Sequence, residues 1–507
     1  MKINQQLLVF ITTIFLAVGV SNAQNINSAK IEQISGEANL SLVNKPLNEL
    51  LEVFNHGLRD AASRFVHERL DEAMIEQSSE EAIINHILKI SEQSGGFELV
   101  ETSYPKENRI QLLVRSRRGG KMAWLRATFS KSNKDKLRSF EVELVPSKIE
   151  TRIKEWTKIK MSEPEAISEI INNAEQLAKI DKLSGVLLVA KGDKILLHKS
   201  FGLLSQSMGK PNRKNTLFPT ASMSKMFTAI AIAQLIDQGK LSLEDTLEQV
   251  LPNYPDKAAA RRIKIWHLLS HQSGLGNFFN NEYRRNPESY ISPADYFPLF
   301  ANKPLFFEPG TKFSYSNAGM VVLGAIVEQI SKQRFEDYLR ENIFAPAGMK
   351  NTFYNPAEAP KNRLASLHTR FESNDPLEIE LRKEKPNHRI ASPAGDSFTT
   401  AEDMLLFVRA LQKGKLVKQD LLTKFITLNG LISRSENYAY GFDSKLYNGR
   451  TGYGHSGGAP GVNTNTITFG DRDYTVVILT NYDPGFAQIF AGKIALLLAN
   501  VPIHLKE

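Results

Sequence analysis

The spacing of apolar residues changes along the chain and predicts two separate folding units. Between residues 46 and 90 the apolar positions recur every three or four residues, which is typical of helices with one buried face. After Gly95 and Gly96 they alternate with polar positions, as in Ile110, Leu112 and Val114, which is typical of half-buried strands. The first unit is therefore predicted to contain two or three helices packed on an antiparallel sheet.

The second unit has strand pairs at both ends and helices between them. An amphipathic stretch at 166–180 predicts its first helix, and a hairpin follows in which Gly192 and Asp193 separate two apolar runs. A second hairpin, at 464–469 and 474–480, precedes a last helical run at 486–499. We predict an α+β fold whose two ends form one antiparallel sheet, flanked by helices and with a helical cluster inserted in the middle.

The first 23 residues differ from both units. Lys2 precedes an apolar run at 7–20, and Ser21-Asn22-Ala23 has the small residues of a cleavage site, a combination typical of a secretory signal peptide. A membrane anchor is the alternative, but the apolar run is short and ends at that cleavage pattern. We predict a signal peptide at 1–23, an accessory α+β domain at 24–160 and a second domain at 166–507. The mature protein is expected to be secreted or periplasmic, with no stable membrane anchor.

Composition excludes some kinds of chemistry. None of the 507 residues is cysteine, so disulfides, thiolate metal sites and cysteine nucleophiles are absent. The net charge of +8 arises from 63 basic residues interspersed with 55 acidic ones. Because the basic residues are scattered, we predict no nucleic-acid partner.

The first candidate motif is Ser222-Met-Ser-Lys225. The same spacing occurs at Ser103–Lys106 and Ser207–Lys210, but prolines or glycines beside those pairs prevent a helix from starting there. Ser222 instead precedes an apolar helical run that ends near Gly239, so Lys225 shares its helix face and can act as its base if the amine is buried. A helix-capping serine followed by a surface lysine is the alternative.

The second motif, Tyr315-Ser-Asn317, supplies a phenol and an amide. We expect nearby cations to lower the pKa of Tyr315, so that it passes a proton to a leaving group, and Asn317 to bind a substrate carbonyl and orient Lys225. A buried tyrosine and a turn asparagine without catalytic roles are the alternative.

The third motif is His455-Ser-Gly457-Gly458. Glycines in an edge strand let a ligand approach the backbone, and the N–H groups of Gly458 and Ser222 are candidates for an oxyanion hole. We expect His455 to donate to the Tyr315 oxygen or to a substrate carboxylate, with an ordinary loop histidine as the alternative.

The order and spacing of these motifs resemble the serine β-lactamase and penicillin-binding-protein superfamily, most closely the class C β-lactamase-related serine hydrolases. Three further segments, at 266–275, 348–352 and 393–403, resemble other conserved stretches of that family, and Thr400 with Asp403 resembles a capping box. The first unit resembles small NTF2-like or cystatin-like modules in architecture. His267 and His271 are interpreted as structural.

The resemblance implies a role for each motif residue and no metal or organic cofactor. It implies Ser222 as nucleophile, Lys225 as base, Tyr315 as general acid and base, Asn317 as substrate ligand, and His455, Gly457 and Gly458 as substrate-binding residues. His455 stands where the superfamily more often has lysine, so strong β-lactamase activity does not follow.

We therefore expect 166–507 to be a serine hydrolase domain that cleaves an amide or ester through an acyl-enzyme on Ser222, of the β-lactamase or D-alanyl-D-alanine carboxypeptidase type. Its expected partner is a small-molecule or peptide substrate, such as a peptidoglycan-derived peptide. A carboxylesterase and a catalytically silent cell-wall or peptide-binding protein are the alternatives. The complete set of motifs favours an enzyme.

Overall fold

The computed structural model describes residues 45–502, apart from 73, 76–78, 107, 118–121, 131, 134, 145–155, 157–158, 370–382, 386–389, 429–436 and 472. The predicted signal peptide at 1–23 lies outside the described residues. The chain divides into two compact units, one ending at Val145 and the other beginning at Pro146.

In the first unit, helices precede a four-stranded antiparallel sheet whose strands pair in sequential order. The described elements are α1 (Lys45–His56), α2 (Arg59–Arg69), α3 (Glu80–Ser94), β1 (Phe97–Lys106), β2 (Arg109–Ser116), β3 (Met122–Phe129) and β4 (Leu137–Leu144). Leu112 and Val114 of β2 share a core with Leu50 and Phe54 of α1. The predicted α+β character of this region is confirmed, and the NTF2-like likeness stays a prediction.

The second unit is built on a six-stranded antiparallel sheet of order β13-β14-β15-β16-β5-β6. The strands are β5 (Gly185–Lys191), β6 (Lys194–Phe201), β7 (Leu203–Ser205), β8 (Lys210–Pro211), β9 (Phe218–Pro219), β10 (Leu367–Thr369), β11 (Lys383–Lys385), β12 (Phe398–Thr399), β13 (Asp443–Tyr447), β14 (Arg450–Ala459), β15 (Val462–Phe469) and β16 (Tyr474–Thr480). β16 pairs with β5 along its whole length, so the two ends of the unit share one sheet as predicted.

Helices cover both faces of this sheet. They are α4 (Glu163–Lys179), α5 (Lys225–Asp237), α6 (Leu247–Val250), α7 (Lys257–Arg262), α8 (Ile265–Leu269), α9 (Asn281–Arg285), α10 (Asn317–Ser331), α11 (Phe335–Leu339), α12 (Ala345–Ala347), α13 (Ala401–Gln412), α14 (Gln419–Ile426) and α15 (Phe486–Ala499). Short 3₁₀ turns lie at Ala221–Ser224, Pro287–Ser289, Pro293–Leu299, Pro356–Glu358 and Lys361–Arg363, and a π turn at Arg340–Phe344.

Because both faces are covered, the central strands are apolar at consecutive positions. In β5, Leu187 and Val189 face one core with α4 and α15, whereas Val186 and Leu188 face the other core with α5. This explains why β5 reads as an unbroken apolar run rather than an alternating one.

Helix α5 is the centre of the larger core. Every residue from Lys225 to Leu235 is buried, which is the pattern of a helix enclosed on all sides. Phe227 makes edge-to-face contacts with Phe344 and Phe407, at centroid distances of 5.1 and 4.9 Å. The helix is therefore fixed on several sides, and so is the turn at its N terminus.

None of the helices in the described ranges is long and apolar enough to cross a bilayer. This finding concerns the described chain alone.

Trp156 is a fully buried anchor of the smaller core. Its ring lies 5.9 Å from that of Phe490, and its Nε1 donates to Glu169 of α4 at 3.3 Å. We expect Trp156→Ala to lower the free energy of unfolding of the second unit by about 3–5 kcal/mol, because the lost indole leaves a cavity. Urea unfolding followed by circular dichroism measures the change.

Trp156→Phe is the matched control, since it keeps an aromatic ring beside Phe490 but loses the bond to Glu169. We expect it to cost about 1–2 kcal/mol. An alanine variant as stable as the phenylalanine variant would contradict this account of the core.

Candidate active site

Ser222 lies in a tight turn between β9 and α5. The preceding residue, Ala221, has φ 45°, a left-handed conformation that is uncommon for a residue with a side chain. The turn is held by a 2.6 Å hydrogen bond between the hydroxyls of Thr220 and Ser224, and by the N–H of Asp396, which donates to the Ala221 carbonyl at 3.1 Å. Asp396 is also left-handed, at φ 77°. Such strain is often found where a fold holds a reactive side chain in one position.

Lys225 is fully buried directly below Ser222. Its Nζ lies 3.0 Å from Ser222 Oγ, 2.7 Å from Asn317 Oδ1 and 2.5 Å from the Ala394 carbonyl oxygen. Burial lowers the pKa of the amine to about 7, and the nearby Asp396 opposes that shift only in part. A neutral amine has two hydrogens for the Asn317 and Ala394 oxygens, which leaves its lone pair for the Ser222 hydroxyl. This geometry suits a general base.

Asn317 begins α10, where the Ser316 hydroxyl accepts from the N–H of Gly319 at 3.0 Å and caps the helix. The side chain of Asn277 fixes the orientation of the Asn317 amide. Its Oδ1 accepts from the backbone N–H of Asn317 at 3.1 Å and from Asn317 Nδ2 at 2.8 Å. The Asn317 oxygen therefore points to Lys225, as predicted. Asn277 carries no sequence signal because it belongs to no motif.

Tyr315 stands beside the nucleophile and hydrogen-bonds to Ser222. Its ring centroid is 5.0 Å from Lys225 Nζ and 4.2 Å from the ring centroid of His271. The prediction that cations lower its pKa is wrong. Desolvation beside these rings raises the pKa of the phenol, and Asp443 adds to the rise. In the free site Tyr315 is a neutral phenol, which can donate a proton.

His455 is buried and has different partners from those predicted. Nδ1 lies 2.5 Å from the Ser456 carbonyl, which can only accept, so the Nδ1 proton lies there and Nε2 accepts from the Tyr438 hydroxyl at 3.0 Å. Burial lowers the pKa of His455 to about 4. The expectation that it donates to Tyr315 is therefore wrong, because both ring nitrogens have other partners. A contact of His455 with a substrate carboxylate stays a prediction.

Gly457 and Gly458 lie on β14 beside the nucleophile turn. A Cβ on Gly457 would lie 2.1 Å from the Thr220 carbonyl oxygen, so only glycine allows the strand to approach this closely. The Thr464 hydroxyl of β15 donates to the same oxygen at 2.9 Å and fixes the contact. The oxyanion-hole role of Gly458 stays a prediction.

The motif residues surround an open cleft of about 340 Å³. The sequence analysis missed four of the residues that line it. Three of them lie outside the motifs, and the fourth, Ser456, lies inside the third motif but was given no role. The lining consists of Ser222, Phe313, Tyr315, Tyr438, Asp443, His455, Ser456 and Gly458. Lys225 and Asn317 are not part of this lining; Lys225 contacts Ser222, and Asn317 contacts Lys225.

The two histidines interpreted as structural lie in different settings. His267 is a helix-start residue whose Nδ1 accepts from the N–H of Lys264 at 3.0 Å. His271 has φ 58° and accepts from the N–H of Ser316 at 3.3 Å. Its ring lies against the rings of both Tyr315 and Tyr438, so His271 supports the wall of the cleft.

The two later segments singled out in the sequence contact each other. Thr400 caps α13 by accepting from the N–H of Asp403 at 3.2 Å, but Asp403 does not complete a capping box. Its carboxylate accepts instead from the N–H of Asn351 at 2.7 Å and the hydroxyl of Thr352 at 2.8 Å. This contact anchors the loop that supplies the Ala394 carbonyl to Lys225. The described residues contain no group of three or more His, Asp or Glu arranged to bind a metal ion.

Known proteins match the part of the chain that contains this site. The model of the beta-lactamase family matches residues 171–499. Penicillin-binding protein 4* of Bacillus subtilis is 30% identical over 350 residues, which cover 66% of this chain and 76% of that protein. Esterase EstB of Burkholderia gladioli is 32% identical over 189 residues, covering 35% of this chain and 48% of that protein. The crystal structure of a penicillin-binding protein from Bacillus halodurans matches with a TM-score of 0.56 and 30% identity, over 64% of this chain and 98% of that one.

The buried amine predicts how the reactivity of Ser222 depends on pH. Only neutral Lys225 can accept the serine proton, so the rate of covalent labelling by a fluorophosphonate should rise with a midpoint near pH 7 and then level off. Asn317→Asp places a carboxylate beside Nζ and favours the ammonium form. We expect its midpoint to lie higher by about 1–2 pH units.

Asn448→Asp makes the same charge change in an exposed turn and should leave the midpoint unchanged. Equal midpoints for Asn317→Asp and the unchanged protein would contradict the assignment of Lys225 as base.

The close contact at Gly457 predicts a second effect. Gly457→Ala should slow fluorophosphonate labelling of Ser222 about 100-fold, because displacement of β14 shifts the nucleophile turn. Gly470→Ala is the matched control, since a Cβ there meets no described atom within 4 Å. Labelling of Gly457→Ala at the rate of the control would show that the turn tolerates the displacement.

Proposed function

The chain belongs to the beta-lactamase family, and from this premise we propose that it is a serine hydrolase that cleaves an amide or ester through an acyl-enzyme on Ser222. The observation that carries the proposal is the 3.0 Å contact between Ser222 Oγ and the amine of Lys225, whose pKa is about 7. A hydroxyl paired with a base that is already partly neutral near pH 7 is an activated nucleophile.

In the proposed first step, neutral Lys225 takes the Ser222 proton as Oγ attacks the substrate carbonyl carbon. The N–H groups of Ser222 and Gly458 stabilise the resulting oxyanion. The Tyr315 phenol donates its proton to the leaving nitrogen or oxygen as the bond to carbon breaks, and the proton held by Lys225 then restores the phenol. Water releases the acyl group by the reverse sequence of proton transfers.

The substrate is proposed to be an amide, with peptidoglycan-derived peptides and β-lactams as the first candidates. The similarity to penicillin-binding proteins, which extends over 66% and 64% of this chain in the two examples given above, supports this choice. A carboxylesterase is the second candidate, because EstB shares part of the same domain. Asn317 is proposed to contact the substrate carbonyl, since its side-chain oxygen contacts Lys225, which in turn contacts Ser222.

We also propose that the enzyme acts outside the cytoplasm, since Lys2, the apolar run at 7–20 and Ala23 have the pattern of a secretory leader. The first unit is proposed to be an accessory module of NTF2-like architecture. Its described side chains contain no grouping like the serine, lysine and tyrosine of the second unit.

The proposal predicts that Ser222 is the residue modified by acylating reagents. Incubation with a fluorescent penicillin and, separately, with a fluorophosphonate should modify Ser222 in at least one case, as mapped by peptide mass spectrometry. Ser222→Ala should abolish both the labelling and any hydrolysis, because it removes the nucleophile. Ser207→Ala, which alters another serine three residues before a lysine, should change neither.

The two reagents separate the candidate functions. Penicillin on Ser222 would support the peptidase or β-lactamase reading, and labelling by the fluorophosphonate alone would support the esterase. If neither reagent labels Ser222, the result would overturn the proposal that the protein is an enzyme and would favour a binding protein.

A further inference from the structure

The cleft beside Ser222 has a charge pattern that bears on which substrates enter it. We propose that the carboxylate of Asp443 makes this cleft prefer substrates that place an ammonium group there over substrates that place a carboxylate there. The inference rests on the proposed function, because it assigns a substrate class to the same Ser222 site.

Asp443 is positioned by the sheet rather than by a flexible loop. It is the first residue of β13 and pairs with Gly454 of β14, one residue before His455. It also forms a backbone bridge with Tyr438. The side chain is 22% exposed and lines the same cleft as Ser222 and Gly458, so a bound substrate meets it.

The other ionisable groups of the lining are uncharged near neutral pH. Desolvation raises the pKa values of Tyr315 and Tyr438 and lowers that of His455 to about 4, so all three are neutral. Lys225 lies behind Ser222, with its amine bonded to protein oxygens. Among the lining residues that the structure describes, Asp443 is thus the one carboxylate, and none of them is a lysine or an arginine.

The nearest described cation weakens this charge without cancelling it. Lys445 Nζ lies 3.8 Å from Asp443 Oδ2, which is too long for a hydrogen bond, and the Lys445 side chain is 44% exposed. Because the Lys445 ammonium is exposed, water partly screens its attraction to the Asp443 carboxylate. The carboxylate therefore remains available to attract an ammonium group of a substrate and to repel a carboxylate.

The test uses three fluorophosphonates with tails of equal length that end in an ammonium, an acetamide or a carboxylate. The measured quantity is the second-order rate constant for labelling Ser222, which requires no knowledge of the natural substrate. We expect the ammonium probe to react fastest, with a rate ratio of ammonium to carboxylate of about 10 to 100 at low ionic strength. Added salt should reduce this ratio.

Two variants make the test specific, because one removes the negative charge of Asp443 and the other removes the positive charge of Lys445. Asp443→Asn keeps the shape of the side chain but removes its charge, so the ratio should fall close to about 1 and lose its salt dependence. Lys445→Gln removes the screening cation, so the ratio should rise. The acetamide probe reports any general loss of reactivity in either variant.

The outcomes separate this inference from the proposed function. Labelling of Ser222 with equal rates for all three probes, or with a ratio that Asp443→Asn leaves unchanged, would overturn the role of Asp443 while the acyl-enzyme proposal stands. Failure of all three probes to label Ser222 would overturn the proposed function, and the inference with it.

Discussion

The site depends on the burial of one amine. The Lys225 side chain occupies the interior between the turn at Ala221–Ser224, the start of α10 and the loop that contains Ala394, and its Nζ contacts an oxygen from each of these segments. An unpaired ammonium in such a place is costly, whereas a neutral amine with two accepting oxygens is well satisfied. The same burial that disfavours the ammonium form also brings the lone pair to Ser222, so packing and basicity have one cause.

The surrounding fold holds Lys225 in its buried position. Helix α5 is enclosed on all sides, so Lys225 cannot turn toward water without displacing the core. Asn277 fixes the amide of Asn317, and the contact of Asp403 with residues 351 and 352 anchors the loop before α13. These contacts join segments that are far apart in sequence. Left-handed residues at 221, 271 and 396 lie around the site, where well-packed neighbours offset their strain.

The apolar spacing was sufficient to predict both terminal hairpins, the shared sheet and the last helix at 486–499, because each depends on local periodicity. The contact between Ser222 and Lys225 was predictable for the same reason, since the two residues lie three positions apart where a 3₁₀ turn continues into α5. The sequence could not predict the roles of Asn277, Tyr438 and Asp443, because only tertiary packing and strand register bring them to the site. The pKa of Tyr315 was predicted to shift in the wrong direction, since a charge inferred from residue type ignores desolvation. His455 was predicted to donate to Tyr315, whereas tertiary packing places its ring against the Tyr438 hydroxyl. Trp156 was not predictable either. It packs in the core of the second unit although it precedes residue 166, where that domain was predicted to begin, and it belongs to no periodic pattern of apolar residues.

The neutral histidine and the acidic residue of the cleft are best understood together. A lysine in place of His455 would bury an ammonium where the Tyr438 hydroxyl and the Ser456 carbonyl now satisfy an uncharged ring. Desolvation raises the pKa of Tyr315, and with that position neutral the field of Asp443 adds to the rise without opposition from β14. A phenol that resists ionisation is a poor base but keeps its proton until a leaving group develops negative charge. In the proposed mechanism, the carboxylate that would attract an ammonium substrate therefore also adds to the desolvation that keeps Tyr315 in the protonated form, which the departure of the leaving group requires.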